Sequence, residues 1–440
     1  MTASTVQSWG RYPYHPQVAY PVDWRDQLPA AWANVARANG TTLAYGNGRS
    51  YGDSCLAASD HIVHTRRMNR FLAADWQAGV LCAEAGATLD DVLQLAVPRG
   101  WMLPVTPGTK FVTLGGAVAN DVHGKNHHVR GTFGRHVRRF ALLRSEREPI
   151  ECSPTENAEL FAGSIGGLGL TGVIAWVEIQ LMPIRSSRVS VTSTRFDNLD
   201  EFFALSAELD RQHEYSVAWI DCLSRGTSLG RGIFMVGDHA QDGGLQRPSK
   251  KPRTVPLTPP ISLINPLTLR AFNALYYNRQ QSRIVHREVD YDSYFYPLDS
   301  LLEWHRIYGK RGFQQYQCVL PEANSRDGMH AILDTIGVSG TGSFLAVLKR
   351  CGEIASPGLL SFPMAGASLA LDFPQQDERS RRLFERLDAI VREAGGRLYP
   401  AKDAHMSASD FQCAYPAWRD LEALRDPALM SRFWQRTTQT

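Results

Sequence analysis

Gly46-Asn47-Gly48-Arg49-Ser50-Tyr51-Gly52-Asp53 is the stretch on which the chain turns. It is read with a second glycine-rich run that passes from Pro107-Gly108-Thr109 through Gly115-Gly116-Ala117 to His123-Gly124-Lys125-Asn126-His127-His128. Glycines and small polar residues at this density let backbone N–H groups converge on an anion, because glycine reaches positive φ and admits a phosphate closely. The pair reads as a cradle for a flavin dinucleotide. Tight helix–helix packing is the other use of a run such as 113–119.

Around these loops the pattern alternates. Short strands are expected within 41–65, with 42–45 entering the first loop, and another at 80–85. Thr88 then caps a helix whose first turn holds Asp90 and Asp91, with Leu89, Val92, Leu93 and Ala96 at helical spacing, ending near Pro98-Arg99-Gly100. An extended piece at 102–105 leads into the second run. A helix at 157–164 precedes Gly166-Gly167-Leu168-Gly169-Leu170-Thr171-Gly172, and 173–182 reads as a strand closed by Pro183. A domain boundary is placed near residue 185.

Beyond it come a strand at 188–194, a helix capped by Asn198 with Glu201 in capping-box position, strands at 313–320, 343–349 and 367–373, and an amphipathic helix at 377–394 ended by Gly395-Gly396. The segment 237–260, which contains Lys250-Lys251-Pro252-Arg253, is too rich in Pro and Gly for a regular element, so a mobile loop, a lid or a disordered surface insertion is expected there. The fold class is α+β in two domains: 1–185, 186–396 built on an antiparallel sheet, and a segment 397–440 that packs back on the first.

At 440 residues, two domains are the prior expectation. With 47 basic and 44 acidic residues the net charge is +3, which argues against nucleic acid as a partner. Seven scattered cysteines without CxxC spacing argue against structural zinc and favour a reducing compartment. The N-terminal residues lack the pattern of a secretory signal, and no run approaches eighteen apolar residues. His127 and His128 lack ligand partners at metal spacing, so a surface or hydrogen-bonded role is expected; no metal is assigned.

The combination of Gly48-Arg49-Ser50-Tyr51-Gly52-Asp53, Pro107-Gly108-Thr109, Gly115-Gly116-Ala117, 123–128 and Gly169-Leu170-Thr171-Gly172 resembles the vanillyl-alcohol-oxidase (PCMH) type of FAD oxidoreductase. More narrowly it is similar to the flavin subunits of decaprenylphosphoryl-ribose 2-epimerases. That likeness continues through Ser216-Val217-Ala218-Trp219, 294–299, Glu303-Trp304, 312–317, Leu371-Asp372-Phe373-Pro374 and Gly396-Arg397-Leu398-Tyr399-Pro400-Ala401-Lys402-Asp403. It implies oxidation of the 2-hydroxyl of a polyprenyl-phosphoryl-ribose, with a separate NAD(P)H-dependent short-chain reductase finishing the epimerisation to the arabinose form. It also implies peripheral contact with the inner membrane from the cytoplasm, or alternatively from the periplasmic face. An aldonolactone or sugar-alcohol oxidase of the same superfamily, and a flavin-free scaffold of a glycan-assembly complex, are the rival readings.

Carried over residue by residue, the resemblance assigns FAD to Gly46, Asn47, Gly48, Arg49, Ser50, Tyr51, Gly52, Asp53, Pro107, Gly108, Thr109, Val112, Thr113, Leu114, Gly115, Gly116, Asn120, Asp121, Val122, His123, Gly124, Gly169, Ile174 and Tyr399. Tyr51 stands where many relatives carry the histidine that tethers the flavin, so the cofactor should be non-covalent. Lys402 matches the catalytic-pocket lysine, as a base if its pKa is lowered or as a cation that orients the substrate. His123 and Tyr51 complete the catalytic set. The substrate side is assigned to Lys125, Trp219, Gln315, Gln317 and Lys349, with glutamines suited to sugar hydroxyls and lysines to phosphate; Trp219 has a core role as its alternative. Three positions there depart from the family pattern: Ala370 replaces a cysteine, Ser368 an asparagine and Phe295 a tyrosine.

Overall fold

The computed structural model describes residues 4–145, 147–246 and 252–439. Two small sheets carry the glycine loops. A four-stranded sheet runs in the order Ser4–Val6, Gln17–Pro21, His61–His64, Leu43–Tyr45, and the loop from Gly46 leaves the end of its last strand. A five-stranded antiparallel sheet runs Phe71–Asp75, Val80–Glu84, Val173–Gln180, Val137–Arg144, Arg147–Cys152. On it lies the helix Leu89–Ala96, begun by a full capping box in which Thr88 and Asp91 bond each other's backbone N–H. The short helix Leu114–Ala119 is capped by Thr113, whose hydroxyl accepts from Gly116 N.

The second half is an eight-stranded antiparallel sheet in the order Ile284–Asp290, Arg188–Phe196, Gly232–His239, Tyr215–Ile220, Ala346–Cys351, Gly366–Pro374, Phe313–Pro321, Arg397–Leu398. Alternation of side chains decides what each face does. Ala218, Ile220, Leu348, Leu369, Leu371, Tyr316, Cys318 and Leu320 point to one face, where Leu199–Leu209, Glu322–Ser339 and Glu378–Glu393 cover them in a common core. Their neighbours along the same strands, among them Trp219, Lys349, Ala370 and Gln317, point to the other face and line a cavity.

The chain after Arg397 binds back to the first loops. Thr42 bridges Leu429 and Ala57 bridges Ser431, and Arg436 donates to both Asp53 (3.0 Å) and Asp403 (2.8 Å), two buried carboxylates.

The structure corrects the expectation for 237–260. Residues up to His239 continue the strand Gly232–His239, because neighbouring strands on both sides supply ladder partners that outweigh a glycine and two polar residues. Arg253–Thr254 adds a parallel pair with Leu301–Leu302. Lys250 and Lys251 lie outside the described residues, as do 1–3. The helix Glu322–Ser339 escaped the pattern because Gly328 and Gly337 dilute it. Its Gly328 lies where a Cβ would come within 2.4 Å of Leu320, so the helix seats close on the sheet.

Candidate active site

A cavity of about 1040 Å³ lies between the glycine loops and the open face of the large sheet, at the upper end of the range for small-molecule and cofactor sites. Its loop wall consists of Ala44 to Tyr51, Thr106 to Thr109, Phe111 to Thr113, Gly115, Gly116, Asn120 and Val122 to Lys125, with Gly169, Gly172 and Ile174 beside them. Among the described residues no backbone N–H from Gly46 to Ser50 finds an acceptor; the next bond is Tyr51 N–H to Ala401 O at 3.0 Å. Gly48 has φ +59° and would drive a Cβ to 1.9 Å from the Tyr45 hydroxyl, so only glycine keeps this turn. The Arg49 guanidinium lies over Trp9, 4.1 Å from the ring centroid, with a buried Nε that has no protein acceptor. Unspent N–H groups and a buried cation with spare donor capacity fit the pyrophosphate of a dinucleotide.

The second run is fastened to the second half of the chain by Lys110. Its N–H donates to Asp299 (2.8 Å) and its ammonium reaches Asp292 (2.5 Å) and Asp90 (3.1 Å).

The sheet wall presents a grid of functional side chains. Gln315 pairs in register with Asp372, Gln317 with Ala370, Ala370 with Val347, Ser368 with Lys349, and Val347 with Trp219. The Gln315 amide donates to Asp372 Oδ1 at 2.7 Å, while Asp372 Oδ2 is buried with no partner. Burial raises the Asp372 carboxyl to about 7, against the Gln315 bond and the nearby Lys402 charge, which hold it down. Lys402 sits with its ammonium 3.9 Å from the Tyr51 ring centroid. Desolvation brings it down to about 8, with Asp372 pulling the other way.

Two further lysines donate to backbone carbonyl oxygens. Lys349 donates to Gly124 O at 2.8 Å and Lys125 to Phe295 O at 3.2 Å. Desolvation lowers Lys349 to about 8, and desolvation together with Lys349 lowers Lys125 to about 7. His123 is buried with its Nε2 3.1 Å from Gln317 Nε2. Burial, then Lys349, His127 and Lys402, keep its pKa well below the ordinary value, so the ring is neutral.

Of the residues expected at the cofactor, Gly46 to Tyr51, Pro107, Gly108, Thr109, Val112, Thr113, Gly115, Gly116, Asn120, Val122, His123, Gly124, Gly169, Ile174 and Tyr399 line the cavity. Gly52, Asp53, Leu114 and Asp121 lie off it. Gly52 packs so tightly that a Cβ would stand 1.6 Å from Asp403 O. Asp53 pairs with Arg436, and Leu114 is core. Asp121 ties Gly134, Ser356 and Ser361 together. These four build the cradle rather than touch its contents. All the residues expected at the substrate, including Phe295, Ser368 and Ala370, line the cavity. His128 bonds His213 O as a hydrogen-bonded histidine should. His127 is instead buried, with its pKa lowered to about 3 by desolvation and by Lys349. Among the described residues no group of three or more His, Cys, Asp or Glu side chains is placed to hold a metal.

Sequence reasoning missed Asp372, although a carboxylate alternating with Ala370 and Ser368 in an apolar strand was its signal. It also missed Trp9, Tyr276, Arg279 and Arg287, which line the cavity and carry no local pattern.

The model of the FAD-binding domain family matches residues 16–153. Decaprenylphosphoryl-β-D-ribose oxidase of Mycolicibacterium smegmatis is 34% identical over 431 residues, 94% of this chain and 92% of that one. An uncharacterised protein of Streptomyces coelicolor is 32% identical over 78% of this chain and 96% of its own length. Mouse L-gulonolactone oxidase is 28% identical over less than half of either chain. With a match of 34% identity over 94% of its length, the chain belongs to the family of PCMH-type, FAD-dependent oxidoreductases that includes decaprenylphosphoryl-β-D-ribose oxidase.

Proposed function

We propose that the protein oxidises the 2-hydroxyl of a polyprenyl-phosphoryl-β-D-ribose to the 2-keto sugar, the first half of an epimerisation to the arabinose form. The observation that carries this reading is Lys125 and Lys349, two deep-set cations without carboxylate partners, beside the glutamine-lined wall and Lys402. They match a phosphoryl group; Gln315 and Gln317 match neutral hydroxyls.

Bound FAD supplies the acceptor for the hydride that leaves C2. Gly46 to Ser50, with Gly108, Thr113 and Gly116, would hold the dinucleotide, and with Tyr51 where relatives carry the tethering histidine it would be bound without a covalent bond. The Lys402 amine takes the hydroxyl proton as the carbonyl forms, and the Asp372 carboxylate stabilises the ammonium that results. His123, neutral and held by Gln317, presents a polar edge to the sugar. Residues 1–185 act as the FAD-binding domain, 186–396 as the substrate domain and 397–440 as a segment returning to the first. A separate NAD(P)H-dependent short-chain reductase consumes the keto product. No described helix is long and apolar enough to cross a membrane, and a peripheral site at the inner membrane suits a lipid-linked substrate.

The test is anaerobic bleaching of the flavin band. Farnesyl-phosphoryl-ribose should bleach it, and free ribose should not. Bleaching by free sugars or by aldonolactones would move the protein to the gulonolactone-oxidase type of substrate. A purified protein that shows no flavin band after incubation with FAD would return it to the scaffold reading.

The titrations set the pH dependence. Lys402 is a base only as the free amine, so the reduction rate at saturating substrate should rise with pH and level off above about 8. Asp372→Asn removes the charge that holds the Lys402 proton, so the midpoint should move to lower pH. The KM should rise as the pH passes about 7 and then about 8, where Lys125 and Lys349 in turn lose the charge that binds phosphate. Stopped-flow reduction across the pH range checks all three.

A further inference from the structure

The helix Pro266–Asn278 wears its apolar residues on the wrong side for a globular protein. Its inward stripe is Leu269, Asn273 and Tyr277. Asn273 donates to Asp221 Oδ1 at 2.8 Å and Tyr277 to Asp197 Oδ1 at 2.8 Å, so the helix is anchored by polar bonds. The opposite side carries Leu267, 78% exposed, and Leu275, 73% exposed. The segment leading into it adds Leu257, Ile261 and Leu263, also exposed. Of the twelve large apolar side chains left exposed among the described residues, seven fall between Leu257 and Ile284. Scattered exposed leucines need no explanation, but a cluster of this kind marks an interaction surface.

Charge identifies what it meets. From Pro252 to Arg287 the sequence contains Arg253, Arg270, Arg279, Arg283 and Arg287 and no aspartate or glutamate, in a chain where acids make up 44 of 440 residues. Arg283 pairs with Glu201, 3.4 Å away; an exposed apolar face on a segment that carries arginines and no acids of its own matches the boundary of an anionic bilayer, where apolar side chains enter the acyl edge and cations meet headgroup phosphates.

The cavity opens onto this same face. Arg279 and Arg287 are both exposed and both line it. A row of rings runs outward from the wall: Trp219 lies 4.5 Å from Tyr276, and Tyr276 lies 5.7 Å from Phe272 on the helix. The Arg279 guanidinium lies over Tyr276, 3.7 Å from its centroid.

We propose that Pro266–Asn278 and the apolar segment before it dock on the surface of a membrane containing anionic phospholipid, and that the cavity mouth beside Tyr276 and Arg279 faces that surface. The docking stands on the surface itself. The further step rests on the lipid-linked substrate proposed above: the prenyl chain leaves along Trp219, Tyr276 and Phe272 into the bilayer while its phosphoryl-sugar head reaches the glycine loops.

The test is co-sedimentation of the FAD-loaded protein with vesicles, without substrate. Wild-type protein should bind vesicles of phosphatidylglycerol and phosphatidylcholine on the order of tenfold or more tightly than pure phosphatidylcholine. That preference should shrink at high salt. The double variant Leu267→Glu, Leu275→Glu should lose binding by a similar factor yet keep its flavin and its elution volume. It should also bleach with farnesyl-phosphoryl-ribose as wild type does, since neither residue lines the cavity. Equal binding to neutral vesicles, or undiminished binding by the variant, would overturn the proposal. So would a wild-type dimer that the variant dissolves, which would assign the face to a second copy of the chain. A failure of the sugar substrate in the bleaching assay leaves the sedimentation result intact, so the two readings fail separately.

Discussion

Lys402→Ala should keep its FAD and lose substrate-dependent flavin reduction by about a hundred- to ten-thousand-fold, the range over which a positioned proton acceptor acts. Retention is expected because the Lys402 ammonium lies over the ring of Tyr51, past the Gly46–Ser50 stretch whose backbone N–H groups are expected to hold the pyrophosphate. Lys402→Arg separates the two roles open to this lysine. A guanidinium keeps the positive charge but stays protonated at any working pH. If Lys402 only orients the sugar or its phosphate, the arginine variant should hold much of the rate. If it takes the hydroxyl proton, the arginine variant should be as slow as the alanine one. Single-turnover reduction, measured with the flavin content of each variant, decides between them, and wild-type reduction rates in Lys402→Ala would remove the residue from the mechanism.

Arg436→Ala should be the most costly substitution away from the cavity, destabilising the fold by about 3–5 kcal/mol, because it removes the cation that two buried carboxylates share and leaves Asp403 to His405. Asp53 and Asp403 are 3% and 3% exposed, and Arg436 donates to both. The Arg436 pair counteracts the burial that raises Asp53, and it holds Asp403 below the usual carboxylate range against the same burial. These carboxylates border Gly52 and Lys402 in sequence, so the variant should also release FAD more readily. Urea unfolding of apo and FAD-loaded protein checks both effects. A loss under about 1 kcal/mol would mean that the pair is worth no more than an exposed one.

Much of the site was legible in the sequence because it sits on regular elements. Gln315 and Gln317 alternate with Tyr316 and Cys318, so once the strand is read the glutamines share a face. The glycine loops announce their backbone geometry through composition alone. Within the loop motif, however, residues that touch a ligand and residues that hold the loop look alike. Gly52 is there for a backbone that passes too close for a side chain, and Asp53 for a cation; neither reaches the cavity. Of the two histidines, His128 is hydrogen-bonded as expected, and His127 differs for the opposite reason. His127 looks polar in sequence, but it is buried within reach of the Lys349 charge. Asp372 was quoted within a motif without a role, because the pairing with Gln315 that gives it one joins strands 57 residues apart. The apolar face of Pro266–Asn278 could not be seen at all from periodicity, which reports that a helix has two sides without saying which one the fold covers.

The clasp between Asp53 and Arg436 joins positions 383 residues apart. The first glycine loop therefore takes its supporting cation from a helix, Arg432–Thr438, that lies far along the chain, and any process that frays that helix takes this cation away from the buried carboxylate at the base of the loop.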